Sequence, residues 1–130
     1  MKIEDVSVLA YAPDSMKPYL GELKPSALPA LTVCDRPDEL ARLVKRSSYQ
    51  VVLLPADLPT QQWLSTWGLI ATLDPRPSIL VYTLESDFSM WSGLLEAGAF
   101  DVLVAPFTEA KLTDAIESAA REFQARLSDE

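Results

Sequence analysis

Residues 50–59, QVVLLPADLP, begin as an apolar run and end in a loop that is bounded by Pro55 and Pro59. The run VVLL does not alternate apolar and polar side chains, which is typical of a strand covered on both faces. Four other runs share this character: VSVLAYA at 6–12, ALTVC at 30–34, SILVYT at 78–83 and DVLVA at 101–105. Together they predict a parallel sheet between two layers of helices.

The segments between these runs have the periodicity of amphipathic helices. The last is the clearest, because Thr108 can cap a stripe of apolar residues that recurs every three or four positions. Four more helices are predicted to begin near Asp14, near Asp35, at Pro59 and near Ser86. Since parallel strands require right-handed crossovers, the (βα)₅ order predicts a doubly wound α/β/α sandwich.

The length and composition favour one domain. The chain has 130 residues, of which 48% are hydrophobic, so it can bury a substantial core. We expect a single domain over 1–130 with its core at about 6–123. Residues 124–130 are either the end of the last helix or the start of a linker.

Charge and composition exclude several classes of function. The formal net charge is −8 and no run of basic residues is present, so direct binding of nucleic acid is not expected. The single cysteine, Cys34, allows no intrachain disulfide, and no apolar run is long enough to span a membrane, which together favour a cytoplasmic location. Histidine is absent, which removes the commonest general base and zinc ligand.

The carboxyl ends of the predicted strands offer little chemistry, although sites in such sheets form there. No glycine-rich phosphate-binding pattern is present, and the first strand ends in Ala10, Tyr11 and Ala12 without a carboxylate for Mg²⁺. The nearest acids, Asp14 and Asp57, fit a helix cap and a turn residue. We therefore expect no cofactor, no metal and no enzymatic activity.

Three segments carry a family resemblance. GAFDVLVAPF at 98–107 is similar to the Gly-Ala-x-x-Tyr-Leu-x-Lys-Pro-Phe segment of the receiver domains of bacterial response regulators. VVLLPADLP resembles the segment in which their phosphoacceptor aspartate comes four residues before a proline, and VLAYAPD resembles their first strand with its acidic pair. From about Val6 to Phe123 the chain thus resembles this CheY-like superfamily, which implies a flavodoxin-like sheet of strand order 2-1-3-4-5.

The resemblance implies specific positions for the phosphorylation site. In the family, an aspartate ending the third strand accepts phosphate from a histidine kinase, and Mg²⁺ is held by that aspartate and the acidic pair. A Thr or Ser and a lysine contact the phosphoryl group. Pro55 falls on the acceptor position, and Ala10 and Tyr11 fall on the acidic pair. Thr83 keeps the hydroxyl, whereas Ala105 replaces the lysine.

These substitutions imply a degenerate receiver, or pseudo-receiver, that takes part in two-component or phosphorelay signalling without accepting phosphate. Such a domain would act as a protein interaction or dimerisation module. One alternative is an unorthodox phosphoacceptor that uses Asp57, two residues after Pro55. A second alternative is a small flavodoxin-like enzyme or ligand-binding protein.

The interaction surface implied by the resemblance is the face of the fourth helix, fifth strand and fifth helix, through which receivers commonly dimerise or bind targets. Candidate residues are Phe88, Met90 and Trp91 around the fourth helix, Val102 at the place of the family's aromatic switch residue, and Trp63. Core packing is the alternative for the aromatic residues, and we expect it for Trp67.

The resemblance also predicts a cis peptide bond. In receivers the Lys-Pro bond after the fifth strand is usually cis, and the corresponding bond here is Ala105-Pro106.

Overall fold

Five parallel strands form the centre of the protein. The computed structural model describes residues 5–14, 30–83, 88–104 and 107–128. The strands are β1 (Val8–Tyr11), β2 (Leu31–Cys34), β3 (Val51–Pro55), β4 (Ser78–Thr83) and β5 (Asp101–Val104). They form one sheet of order β2-β1-β3-β4-β5, as predicted.

Four helices follow the second to fifth strands: α1 (Pro37–Arg46), α2 (Thr60–Ala71), α3 (Phe88–Glu96) and α4 (Glu109–Ser128). The predicted helix between β1 and β2, and the cap at Ser86, lie outside the described residues. Within the parts of the chain that are described, no helix combines the length and apolarity needed to cross a membrane.

The helix ends follow local chemistry. Pro37 begins α1, where its missing N–H leaves no hydrogen bond unmade, and the acids of the first turn and bases of the last turn complement the helix dipole. At α4 the backbone N–H of Lys111 donates to Oγ1 of Thr108 over 3.1 Å, which confirms the predicted cap. The α2 helix begins one residue after Pro59, which provides no side-chain cap.

The core has two layers, one on each face of the sheet. On one face α4 packs against alternate residues of β1, β3 and β4, among them Ala10, Leu53 and Tyr82. On the other face α1, α2 and α3 cover Leu9, Val52 and their neighbours. This arrangement explains why the strand sequences are apolar at consecutive positions. Trp67, predicted to be core, is partly buried and packs against this second layer.

A polar cluster fixes the end of α4 to the amino edge of the sheet. The buried Ser78 at the start of β4 donates a hydrogen bond to Glu122, and Arg126 donates through Nε to the same carboxylate over 2.5 Å. The Arg126 guanidinium also lies 5.7 Å from the ring centroid of Phe123. The last turns of the helix are therefore joined to a central strand.

Candidate functional site

The carboxyl edge of the sheet brings together the residues that the sequence singled out. Ala10 and Tyr11 end β1, Pro55 ends β3 and Thr83 ends β4, and all four are buried. Because β3 lies between β1 and β4, Pro55 occupies the centre of this edge. Ala105, which was predicted to occupy the family's lysine position, lies outside the described residues.

A buried tyrosine crosses this edge. The hydroxyl of Tyr82 on β4 donates a hydrogen bond to the backbone carbonyl of Tyr11 on β1, over 2.6 Å. The two strands are separated by β3 and therefore lie about 9–10 Å apart, so the side chain must extend over β3 to reach its acceptor. Tyr82 is paired in register with Pro55, beside which it passes.

The neighbouring side chains leave room for the phenol ring. Ala10 and Ala12 belong to the same core layer as Tyr82 and Leu53, so this face of the sheet is covered by small side chains where the tyrosine lies. Strand alternation places Pro55 on that face as well. The centre of the edge is thus occupied by an aromatic ring and its hydrogen bond.

The buried tyrosines and the buried cysteine at this edge are held neutral. Burial raises the pKa of Tyr82 above its ordinary value, and the negative charges of Tyr11, Asp57 and Cys34 would raise it further. Burial likewise raises the pKa of Tyr11, with contributions from Cys34 and Asp35. Burial, Glu39 and Asp35 raise the pKa of the Cys34 thiol to about 12, so it is a poor nucleophile.

The edge does not fit Mg²⁺. Ala10, Tyr11 and Pro55 offer no carboxylate, and Mg²⁺ in phosphoryl-transfer sites is bound through carboxylates. Among the residues with a described structure, no group of three or more acidic, cysteine or histidine side chains could hold a metal ion. Every buried polar side-chain atom described has a hydrogen-bond partner, so none is left for a cation to satisfy.

Asp57 is the one predicted site residue with a carboxylate. It is exposed in the loop after β3, and the hydroxyl of the buried Thr83 donates to its Oδ2 over 3.3 Å. The structure therefore brings the possible surrogate acceptor to the same edge as the hydroxyl that the family pattern retains.

The predicted interaction residues have different positions. Val102 is only 7% exposed and packs into the core layer beneath α3, so its prediction as a surface residue is wrong. Trp63 is partly buried, and its ring centroid lies 5.2 Å from that of Trp67. Phe88, Met90 and Trp91 lie in α3, but their side chains are outside the described part of the structure.

The sequence did not single out three residues that the structure makes relevant, two exposed apolar residues and one buried tyrosine. Leu95 on α3 and Val104 on β5 are 42% and 37% exposed, and they lie on the elements that were expected to form the interaction face. Tyr82 was predicted only as part of an apolar strand, although its hydroxyl makes it the one polar aromatic residue in SILVYT. The predicted cis bond at Pro106 lies outside the described residues, whereas Asp74-Pro75 is cis.

Solved structures share this fold at low sequence identity. A receiver domain described as that of a Luxo repressor protein from Vibrio parahaemolyticus has a TM-score of 0.74 at 18% identity, covering 96% of this chain and 98% of that one. The receiver domain of the Francisella response regulator 1452 has a TM-score of 0.71 at 14% identity, covering 91% of this chain and 98% of that one. A pilus assembly protein CpaE from Caulobacter crescentus has a TM-score of 0.66 at 15% identity, covering 91% of this chain and 95% of that one.

The sequence itself matches a family profile. A search of curated protein sequences gives no match. The profile of the response regulator receiver domain matches residues 15–117, which is most of the chain. The protein therefore belongs to the response regulator receiver domain family of two-component signalling.

Proposed function

We propose that this receiver domain is a pseudo-receiver that works as a phosphorylation-independent protein interaction or dimerisation module. The observation that carries the proposal is the side chain of Tyr82, which crosses the carboxyl edge beside Pro55 and donates to the Tyr11 carbonyl. A phosphoryl group would need a nucleophile, a cation and open space at this point. The edge instead contains a proline and a hydrogen-bonded phenol.

The electrostatics of the edge support the same proposal. Phosphoryl transfer relies on positive charge placed against the developing negative charge. The sequence has Ala105 at the lysine position, and burial keeps Tyr11 and Tyr82 neutral. The charge that a phosphoryl group brings would therefore be poorly compensated.

The proposed binding surface is the face of α3, β5 and α4, where Leu95 and Val104 expose apolar area and β5 is an edge strand of the sheet. Its occupant would be a protein partner in a bacterial signalling pathway or a second copy of the domain. The similar fold of a pilus assembly protein supports a role of this kind.

The test is incubation with acetyl phosphate and Mg²⁺ followed by intact-mass measurement. We expect no phosphoryl adduct on the wild-type chain, because Pro55 has no nucleophile and Ala10 and Tyr11 offer no carboxylate for Mg²⁺. A stable adduct would contradict the proposal.

A phosphoacceptor at Asp57 is the second candidate function, supported by the hydrogen bond from Thr83 to its carboxylate. In that case the same incubation gives an adduct that disappears in Asp57→Asn. The matched control is Asp74→Asn, which removes another exposed loop carboxylate and should leave such an adduct unchanged. An adduct present in both variants would indicate modification elsewhere.

A further inference from the structure

The solvent-exposed face of α2 carries no charge. The helix TQQWLSTWGLIA contains no ionisable side chain, and the uncharged stretch extends from Leu58 to Leu73, although 23% of the chain is charged. We call its exposed residues the α2 face: Gln61, Leu64, Ser65, Gly68 and Ala71. At 100° per residue they lie within about 120° of the helix circumference. Surface helices normally carry charged residues on such a face.

Leu64 dominates this face. It is 63% exposed, more than any other large hydrophobic side chain among those described. The partly buried rings of Trp63 and Trp67 lie on the same helix, with their centroids 5.2 Å apart, and pack against the core. If a partner removes this exposed leucine from water, the burial of its apolar surface stabilises the complex.

Gly68 forms a notch one turn further along the same face. A Cβ atom built on it would meet no other atom within 4 Å, so the space above the backbone is open. The helix thus offers a projecting side chain and a recess of opposite shape, four residues apart.

These two shapes are complementary to each other in an antiparallel helix pair. If a twofold axis crosses the helix midway between Leu64 and Gly68, each Leu64 lies opposite the Gly68 of the other copy. The same axis places Gln61 opposite Ala71, which again pairs a longer side chain with a short one. A twofold axis parallel to the helix would instead bring Leu64 against Leu64.

Charge also favours a second copy at this face. Each domain carries a net charge of −8, so two copies repel wherever charged surfaces meet. Arg36 lies exposed just before α1, Asp38 and Arg42 lie exposed on α1, and α4 is charged along its length. The α2 face allows close approach without an ionised side chain in the contact.

We infer that the α2 face mediates self-association of this domain as an antiparallel, twofold-symmetric helix pair. The inference rests on the proposed role as an interaction module, and it assigns a surface different from that of Leu95 and Val104. The helix is only about 18 Å long, so the pair buries less than a standard interface of about 1,600 Å² and the dimer is weak and transient.

The test is sedimentation equilibrium of the full chain over a wide concentration range. We expect Leu64→Glu and Gly68→Leu each to weaken association by about tenfold or more, since one places like charges in the contact and the other fills the notch. The matched control is Val33→Glu, because Val33 is also an exposed large hydrophobic residue, 38% exposed, and lies on the edge strand β2 outside both proposed surfaces. It should associate like the wild type.

Circular dichroism and urea unfolding should show that all three variants are folded, since Leu64 and Val33 are exposed and replacing the exposed helical Gly68 improves helix propensity. Added salt should strengthen wild-type association by screening the repulsion between copies.

A chain that stays monomeric at high protein and salt concentration would overturn the inference. Association that survives Leu64→Glu but is lost in Val104→Glu would also overturn it, while supporting the face of α3, β5 and α4. The acetyl phosphate experiment is independent of both outcomes, so a failed dimer does not by itself refute the pseudo-receiver.

Discussion

Tyr82 connects two strands that are not neighbours in the sheet, because its hydroxyl on β4 donates to the Tyr11 carbonyl on β1. Its hydroxyl and the Tyr11 carbonyl are both buried, where an unpaired polar group is costly. The bond therefore holds the ends of β1 and β4 in one arrangement without any ligand.

Replacing Tyr82 by phenylalanine should destabilise the domain by about 1–3 kcal/mol, because the Tyr11 carbonyl loses its buried donor while the ring is kept. Urea unfolding of the two chains measures the difference. The control is Tyr49→Phe, since Tyr49 is only partly buried and should cost less than about 0.5 kcal/mol. Equal stability of Tyr82→Phe and wild type would contradict this account of the edge.

The positions of the site residues could be predicted, but their contacts could not. The resemblance to receiver domains singled out Pro55 and Thr83, and both lie at strand ends that the local apolar runs predict. The partner of Tyr82 is 71 residues away and two strands across, and no local pattern encodes that distance. Val102 was wrongly assigned to the surface, because the covering of β5 by α3 depends on tertiary packing.

At the level of the elements, sequence prediction worked best where the hydrophobic pattern was complete. The apolar stripe of α4 and its cap at Thr108 are local, and the structure confirms both. The α2 helix was predicted to begin at Pro59 and begins one residue later, and no charged residue within it marks the side that faces solvent. Its exposed face was missed for the same reason: nothing in an uncharged sequence distinguishes its inner from its outer side.

Thr108→Ala should destabilise the domain by about 1 kcal/mol, because the first turn of α4 loses the side-chain acceptor for the Lys111 N–H. The measurement is the midpoint of urea unfolding, compared between chains whose unfolding free energy has the same slope against urea concentration. Ser118→Ala lies in the exposed middle of the same helix and should be neutral or slightly stabilising. A cap variant no less stable than this control would rule out the assigned role of Thr108.

At the scale of the whole molecule, the doubly wound sheet followed from the alternation of strands with helices, and its strand order from the family resemblance. The net charge of −8 is the global property with the clearest physical effect, because like charges oppose the compact state. Three of the ion pairs described, Arg36–Asp38, Arg42–Glu39 and Arg121–Glu117, lie on the surface, so they offset little of this repulsion.

The melting temperature should therefore rise by a few degrees when NaCl is raised from about 20 mM to about 500 mM at neutral pH, because the added ions screen the repulsion. Calorimetry at low protein concentration measures this without self-association. The same salt series at pH 4.5, near the isoelectric point, should show a smaller increase. A melting temperature that falls with salt at neutral pH would mean that attractive ion pairs outweigh net repulsion.

The cluster of Ser78, Glu122 and Arg126 has a mechanical consequence. It joins the last turns of α4 to the first residue of β4, a strand with neighbours on both sides. The direction of the helix axis at residue 128 is thereby set by the sheet. A shift of β4 at Ser78 would therefore move this end of α4 with it, so the position of the last helical turns depends on the centre of the sheet.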